Sequence, residues 1–125
     1  MMNCPCGSGT SYSDCCQPFH TRAKNAPTAE LLMRSRYSAF VLGNEEYLLY
    51  SWAPETAPHS LNLEEFIMWR GLTIHHSYHG GLFDSTGIVE FTARYAVCGQ
   101  LQSQHETSHF RRHDGRWVYV DGDLH

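Results

Sequence analysis

Thr86-Gly87-Ile88-Val89-Glu90-Phe91-Thr92-Ala93-Arg94-Tyr95-Ala96-Val97 alternates with a period of two. Val89, Phe91, Ala93, Tyr95 and Val97 fall on one side, with Glu90, Thr92 and Arg94 on the other. Successive side chains of a strand point to opposite faces, so the run predicts a strand with one buried face. Its neighbours keep the same period. Leu72 to Tyr78 reads as a strand ended by Gly80-Gly81, Leu101 to Arg112 as a longer one after a turn at Gly99, and Arg116 to Val120 as a short one. Asp114-Gly115 is a hairpin signal, because both residue types tolerate the positive φ of a tight two-residue turn. The segment after Gly71 therefore predicts four consecutive antiparallel strands.

Upstream the period is helical. Residues 28–42 predict a helix, with Thr28 as N-cap, Glu30 in the first turn and Gly43 just past the end. Met33, Tyr37, Phe40 and Val41 mark its expected buried face. Asn44 is placed to cap a second helix that runs to about Trp52 and stops before Pro54. Asn62-x-x-Glu65 approximates a capping box and predicts a third, short helix running to Arg70. Residues 17–27, with Pro18 and Pro27, read as a linker. Helices followed by consecutive strands predict an α+β fold, helices packed on one face of a curved antiparallel sheet.

Four of the five cysteines lie in the first 16 residues: Cys4, Cys6, Cys15 and Cys16; Cys98 stands apart. An odd count, with no basic or apolar leader at Met1-Met2-Asn3-Cys4, argues against a disulfide framework and predicts a cytoplasmic protein. Four thiolates suit one structural Zn²⁺ in a closed tetrahedral site. Gly7 and Gly9 can adopt positive φ between the cysteine pairs, Tyr12 can cover one side of the metal, and His20 is an alternative to Cys16 as fourth ligand. So short a segment has no core of its own, and metal binding would supply its folding free energy.

The composition, 42% hydrophobic and 18% charged, excludes a disordered chain. No apolar run approaches the ~20 residues of a membrane span, so no membrane partner is expected. The net charge is -4, Lys24 is the only lysine and Arg111-Arg112 the only adjacent basic pair, so no nucleic-acid partner is expected.

Cys4-Pro5-Cys6-Gly7-Ser8-Gly9, Tyr12 and Cys15-Cys16 resemble the SEC-C motif, named for the zinc tail of the SecA preprotein translocase ATPase. The resemblance implies Cys4, Cys6, Cys15 and Cys16 as zinc ligands. Where SecA-type motifs usually carry lysines, this chain has Thr10, Ser11, Ser13 and Asp14, so an acidic chaperone or a ribosome should not be held here by charge. The order of elements resembles the nuclear transport factor 2-like cone. The segments Leu32–Phe40, Val89–Tyr95 and Gly115–Gly122 look like the YchJ family, which joins an N-terminal SEC-C motif to such a domain. The implied division is a zinc motif over residues 1–20 and a cone domain over residues 21–125.

Cones of this kind often enclose a pocket, and some are isomerases or dehydratases. The candidates here are Arg34, Arg36, Trp69, His105, Glu106, Ser108 and His109, with Arg36, Trp69 and Glu106 as the pocket set. Glu106, Ser108 and Phe110 share one face of their strand, and His105, Thr107 and His109 the other. Arg36, on a largely apolar helix, is expected to pair with Glu106. His75-His76-x-x-His79 lies on a strand and turn, where the helical i, i+4 ligand spacing does not apply. Cys98 reads as a small apolar residue or an inert thiol. No nucleophile–base–orienter set and no phosphate-binding glycine loop can be assembled. The expected role is a zinc-containing binding or adaptor module for a protein or small-molecule ligand, with a small-molecule enzyme using the cone pocket as the alternative.

Overall fold

The computed structural model describes residues 2–61, 63 and 67–125. Its elements, in chain order, are a 3₁₀ turn at Tyr12–Asp14, helices α1 (Gln17–His20), α2 (Ala29–Leu42) and α3 (Glu45–Tyr50), and strands β1 (Ile67–His79), β2 (Thr86–Val97), β3 (Gln100–His113) and β4 (Arg116–Leu124). The strands form one antiparallel meander, ordered β1-β2-β3-β4.

Local chemistry sets the helix ends. Thr28 accepts a hydrogen bond from the Leu31 amide at 3.1 Å, and Gly43 closes α2 at φ 71°. Asn44 caps α3 by accepting from the Tyr47 amide at 3.0 Å. Helix α3 ends at Tyr50, two residues before the expected end, because the chain turns to run beside β4. There the Tyr119 amide donates to the Ser51 carbonyl at 2.8 Å and the Ala53 amide to the Tyr119 carbonyl at 2.7 Å.

Two expectations need correction. Ile67 to Arg70 belong to β1, not to a short helix; the proposed cap at Asn62 and Glu65 lies outside the described residues. Pairing with β2, from Ile67 opposite Val97 onward, satisfies this backbone and outweighs the local helical signal. Residues 17–27 are not wholly irregular, since Gln17–His20 form a helical turn with Pro18 near its start, where a missing N–H costs nothing.

The sheet curves over α2. Bulges between Trp69 and Gly71 and between Ile74 and His76 bend β1, and a further irregularity lies at His109–Phe110. The core joins Leu32, Met33 and Tyr37 of α2 to Val89, Phe91, Ala93, Phe110 and Trp117 of the sheet. The β2 alternation holds through Ala93; at the strand's end Ala96, not Val97, is buried. Val41, expected in the core, is exposed. The buried part of α2 includes Ser35, Arg36 and Ser38 instead. An apolar stripe alone does not explain this: the N-terminal segment packs on Ser35 and Ser38, and Arg36 turns to Leu48 and Ser51.

Asp114-Gly115 and Cys98-Gly99 are both tight turns with two successive positive φ values, 51° and 80° in the first and 51° and 81° in the second. Cys98 is exposed at its turn.

Candidate functional site

Residues 2–20 fold back on themselves. Asn3 and Ser11 form an antiparallel bridge, the Cys4 amide donates to the Thr10 carbonyl at 2.9 Å, and Gly7 and Gly9 take φ values of 80° and 85°. The turn and α1 then present Cys15 and Cys16 to the first pair. The sulfurs of Cys4, Cys6, Cys15 and Cys16 lie within 4.8 Å of one another. Cys6 Sγ is 3.6 Å from Cys15 Sγ, and Cys15 Sγ is 3.9 Å from Cys16 Sγ. Metal–sulfur bonds of about 2.3 Å in a tetrahedron require sulfur–sulfur edges of about 3.8 Å. The four thiols therefore fit one metal ion. Cys4, Cys6 and Cys16 are buried and Cys15 is partly exposed, with Tyr12 packed against them.

The surroundings select thiolate at Cys6. The Cys16 thiol beside it pulls Cys6 down to about 4, against burial. Burial pushes Cys15 up to about 11, and Cys16 is driven above its ordinary range by the Cys6 thiolate and by burial. A metal entering this set displaces protons from Cys15 and Cys16. His20 is engaged elsewhere. Its Nε2 donates to the Ser35 carbonyl at 2.8 Å, so Nδ1 accepts from the Tyr12 hydroxyl at 2.6 Å. Burial lowers the His20 pKa, which favours this neutral ring.

This cluster is braced on α2. Ser38 Oγ lies 3.3 Å from Cys16 Sγ and 3.5 Å from Cys4 Sγ, and Arg34 Nη1 donates to the Cys6 carbonyl at 2.9 Å. Ser35 Oγ lies 2.7 Å from the Tyr47 hydroxyl, and Phe19 of α1 packs against both the main core and the α3 cluster. Ser35 and Ser38 are buried because the N-terminal segment covers them.

One face of α2 carries the cluster, and another lines a cavity of about 290 Å³ under the sheet. Met33, Arg36, Tyr37 and Phe40 come from α2, Trp69 from β1, Phe91 and Ala93 from β2, Gln104, Glu106 and Ser108 from β3, Tyr119 from β4, and Trp52 from the segment after α3. Arg36, Trp69 and Glu106 thus share one wall system. Arg34, by contrast, faces the cysteines, and His105 and His109 lie on the outer face of the sheet.

The expected Arg36–Glu106 ion pair is not formed. Arg36 Nη1 donates to the Leu48 carbonyl at 2.8 Å and to Ser51 Oγ at 2.7 Å. Its guanidinium lies between the rings of Trp52 and Tyr119, 4.9 Å and 4.7 Å from their centroids. Burial lowers its pKa to about 10, which leaves it charged at neutral pH. Glu106 accepts from Gln104 Nε2 at 2.9 Å, Ser108 Oγ at 3.1 Å and the Tyr119 hydroxyl at 3.4 Å. No cationic nitrogen lies within 4.0 Å of it among the described residues. Burial, and then the Glu106 charge, push Tyr119 up to about 12. Gly122 makes room for this carboxylate, since any Cβ there would overlap Glu106. In the same wall, Trp52 Nε1 is buried without an acceptor among the described residues.

Sequence reasoning missed Trp52 and Tyr119 as cavity residues. The Tyr119 ring meets Trp52 edge-on at 5.2 Å, while Trp117 Nε1 donates to the Pro27 carbonyl at 3.2 Å. The parallel bridge between Trp52 and Tyr119 joins residues far apart in sequence, and no periodicity signals it.

Comparison with known proteins agrees with this arrangement. Residues 28–122 match the family described as YchJ, middle NTF2-like domain, and residues 3–18 match the SEC-C motif. A UPF0225 protein of Streptomyces coelicolor is 49% identical over 121 residues, covering 97% of this chain and 94% of its own. One of Chromobacterium violaceum is 48% identical over 122 residues, covering 95% and 90%. The solution structure of a SEC-C motif containing protein from Rhodopseudomonas palustris superimposes with a TM-score of 0.85 at 38% identity, covering 98% of each chain. A crystal structure of a SEC-C motif containing protein from Psychrobacter arcticus gives 0.79 at 30% identity, covering 98% of this chain and 82% of that one.

Proposed function

The chain belongs to the YchJ (UPF0225) family, and from that premise we propose that it is a small-molecule-binding module whose N-terminal Zn²⁺ braces the helix carrying the binding arginine. The observation that carries the reading is Arg36, a buried cation with no carboxylate partner within 4.0 Å among the described residues, in the wall of an aromatic-lined cavity. A buried charge is ordinarily paired. Here the guanidinium has two neutral acceptors and two ring faces, and an incoming acceptor group would complete its set.

Trp52, Trp69, Phe91 and Tyr119 supply apolar and π surface for a planar ligand body, and Glu106 offers an acceptor across the same space. The ligand class is therefore a flat molecule, preferably aromatic, with an anionic or carbonyl end toward Arg36 and an N–H or O–H toward Glu106. Four cysteines with no other donor fit zinc in a structural role, because a closed thiolate set leaves no position for substrate. The Ser/Thr/Asp surface between the cysteine pairs suits short-range polar contacts with any protein partner rather than contacts held by charge.

A second reading rests on Glu106 itself. A carboxylate hydrogen-bonded to neutral groups beside a cavity can accept a substrate proton, as an isomerase-type base would.

The test is an amide and indole NMR titration of zinc-loaded protein with a panel of aromatic carboxylates and their neutral amides. Binding should shift the Trp52 and Trp69 indole signals, and Arg36→Met should weaken the carboxylates at least tenfold while sparing the fold. Absence of any cavity shift across the panel, or binding indifferent to Arg36→Met, would overturn the proposal. Proton exchange on a bound ligand that Glu106→Gln abolishes would favour the base.

A further inference from the structure

The outer face of the sheet, opposite the cavity, carries a second constellation. Glu90 of β2, His105 of β3 and His125 after β4 each bring one ligating atom to within 4.8 Å of the others. His105 Nε2 and Glu90 Oε2 are 2.6 Å apart. The His105 and His125 rings stack with centroids 4.4 Å apart and planes 29° apart, and the His125 amide donates to the His105 carbonyl at 2.9 Å. Thr107 Oγ1, 2.7 Å from His125 Nε2, fixes the second ring. On the other side His75 meets His105 edge-on at 5.2 Å and is itself held by Thr92 Oγ1 at 2.7 Å from its Nε2.

We propose that Glu90, His105 and His125 form a second, exchangeable site for a late first-row divalent cation such as Zn²⁺, independent of the four-cysteine centre. Two imidazoles and one carboxylate are a donor set that such ions favour, with positions left for water. The cation takes the place of the hydrogen bond between His105 and Glu90. Bonds of about 2.1 Å in a tetrahedron require donor–donor edges of about 3.4 Å. The Glu90–His105 pair must open by under ~1 Å, and no other separation in the set need close by more than ~1.4 Å. The partly exposed side chains have room for both adjustments. His75-His76-x-x-His79, the histidine run visible in the sequence, is not part of the convergent set; the bulge at Ile74–His76 and the positive φ of His79, 56°, separate its members. Thr107 holds the His125 imidazole in place, as the outer hydrogen bonds of metal sites do.

The experiment is calorimetric titration of Zn²⁺ into protein whose cysteine site is already zinc-loaded, at pH 7.5, with histidine-ring NMR as second readout. The expected result is one further equivalent with a Kd on the order of micromolar, broadening or shifting the His105 and His125 rings. Each of His105→Ala and His125→Ala should weaken it about tenfold or more. His109→Ala, which removes a nearby histidine of the same strand, should leave it unchanged. No second equivalent, or one that survives the double His105→Ala/His125→Ala variant, or one whose signals map to His75, His76 and His79, overturns the proposal. The variants' unchanged melting temperature without added metal shows that any loss is not unfolding.

Discussion

The cysteine cluster and the cavity sit on two faces of one helix and gather polar groups in opposite ways. In the cluster, four sulfurs converge to within one coordination sphere, and Ser38, Arg34 and His20 tie the assembly to α2. In the cavity, Arg36 and Glu106 line one space, each hydrogen-bonded to neutral neighbours rather than to the other. The first leaves no free space between its donors; the second surrounds a cavity. The two are mechanically joined, because Arg34, Ser35 and Ser38 on one side of α2 alternate with Met33, Arg36 and Tyr37 on the other.

The largest effect should come from metal removal, which tests whether the two regions are separable. Four uncompensated thiols against buried Ser35 and Ser38 should loosen α2 along with the N-terminus. We expect a strong chelator to cost about 3 kcal/mol or more of whole-chain stability, roughly a 10 °C fall in Tm at this length. Two resolved thermal transitions, the second unmoved by chelation, would show that the cluster is an independent appendage.

Proton competition sharpens the same contrast. Metal binding requires thiolates, and in the metal-free arrangement Cys15, near 11, and Cys16, above its ordinary range, hold their protons at neutral pH. Binding releases them, so affinity rises with pH, about tenfold per unit for each proton displaced. Titrations in weak buffer between pH 6 and 8 should register proton release with each equivalent of Zn²⁺. A pH-independent affinity would mean that the thiols are already ionised. The cavity's Arg36, near 10, stays charged over this range, so ligand binding there should not share the slope.

A smaller effect is expected at Gly122. A methyl group there overlaps Glu106, so Gly122→Ala should push the carboxylate out of its hydrogen bonds to Ser108 and Tyr119 at a cost of about 1–2 kcal/mol. The Tyr119 ring signals should shift and the cysteine-bound metal should not respond. A stability equal to wild type, with Glu106 unmoved in a crystal structure, would show that the strand yields instead.

The smallest is Ser38→Ala, which removes the hydroxyl beside two cysteine sulfurs for about 1 kcal/mol. Faster zinc exchange with an unchanged Arg36 environment is the expected signature, read by competition with a chromogenic chelator. Coupled shifts at Trp52 and Tyr119 would show that α2 transmits more than support.

Much of this was readable from local chemistry. Two-fold alternation from Val89 to Ala93, two positive-φ turns, the Thr28 and Asn44 caps and the C-x-C-x8-C-C spacing each depend on neighbours a few residues away, so the meander, the helix starts and the four-cysteine cluster could be anticipated. Contacts between distant residues could not. Ile67–Arg70 are strand because β2 offers a partner, Ser38 is buried because Cys4 and Cys16 lie against it and Ser35 because His20 and Tyr47 do, and Arg36 does not pair with Glu106 because Leu48 and Ser51 supply its acceptors. The pairing of β2 with β3, and the placement of His125 after β4, likewise bring Glu90, His105 and His125 together from three separate parts of the chain. Propensity and spacing act over a turn or a strand, whereas burial and charge pairing are settled by whichever groups the fold brings within a few ångströms.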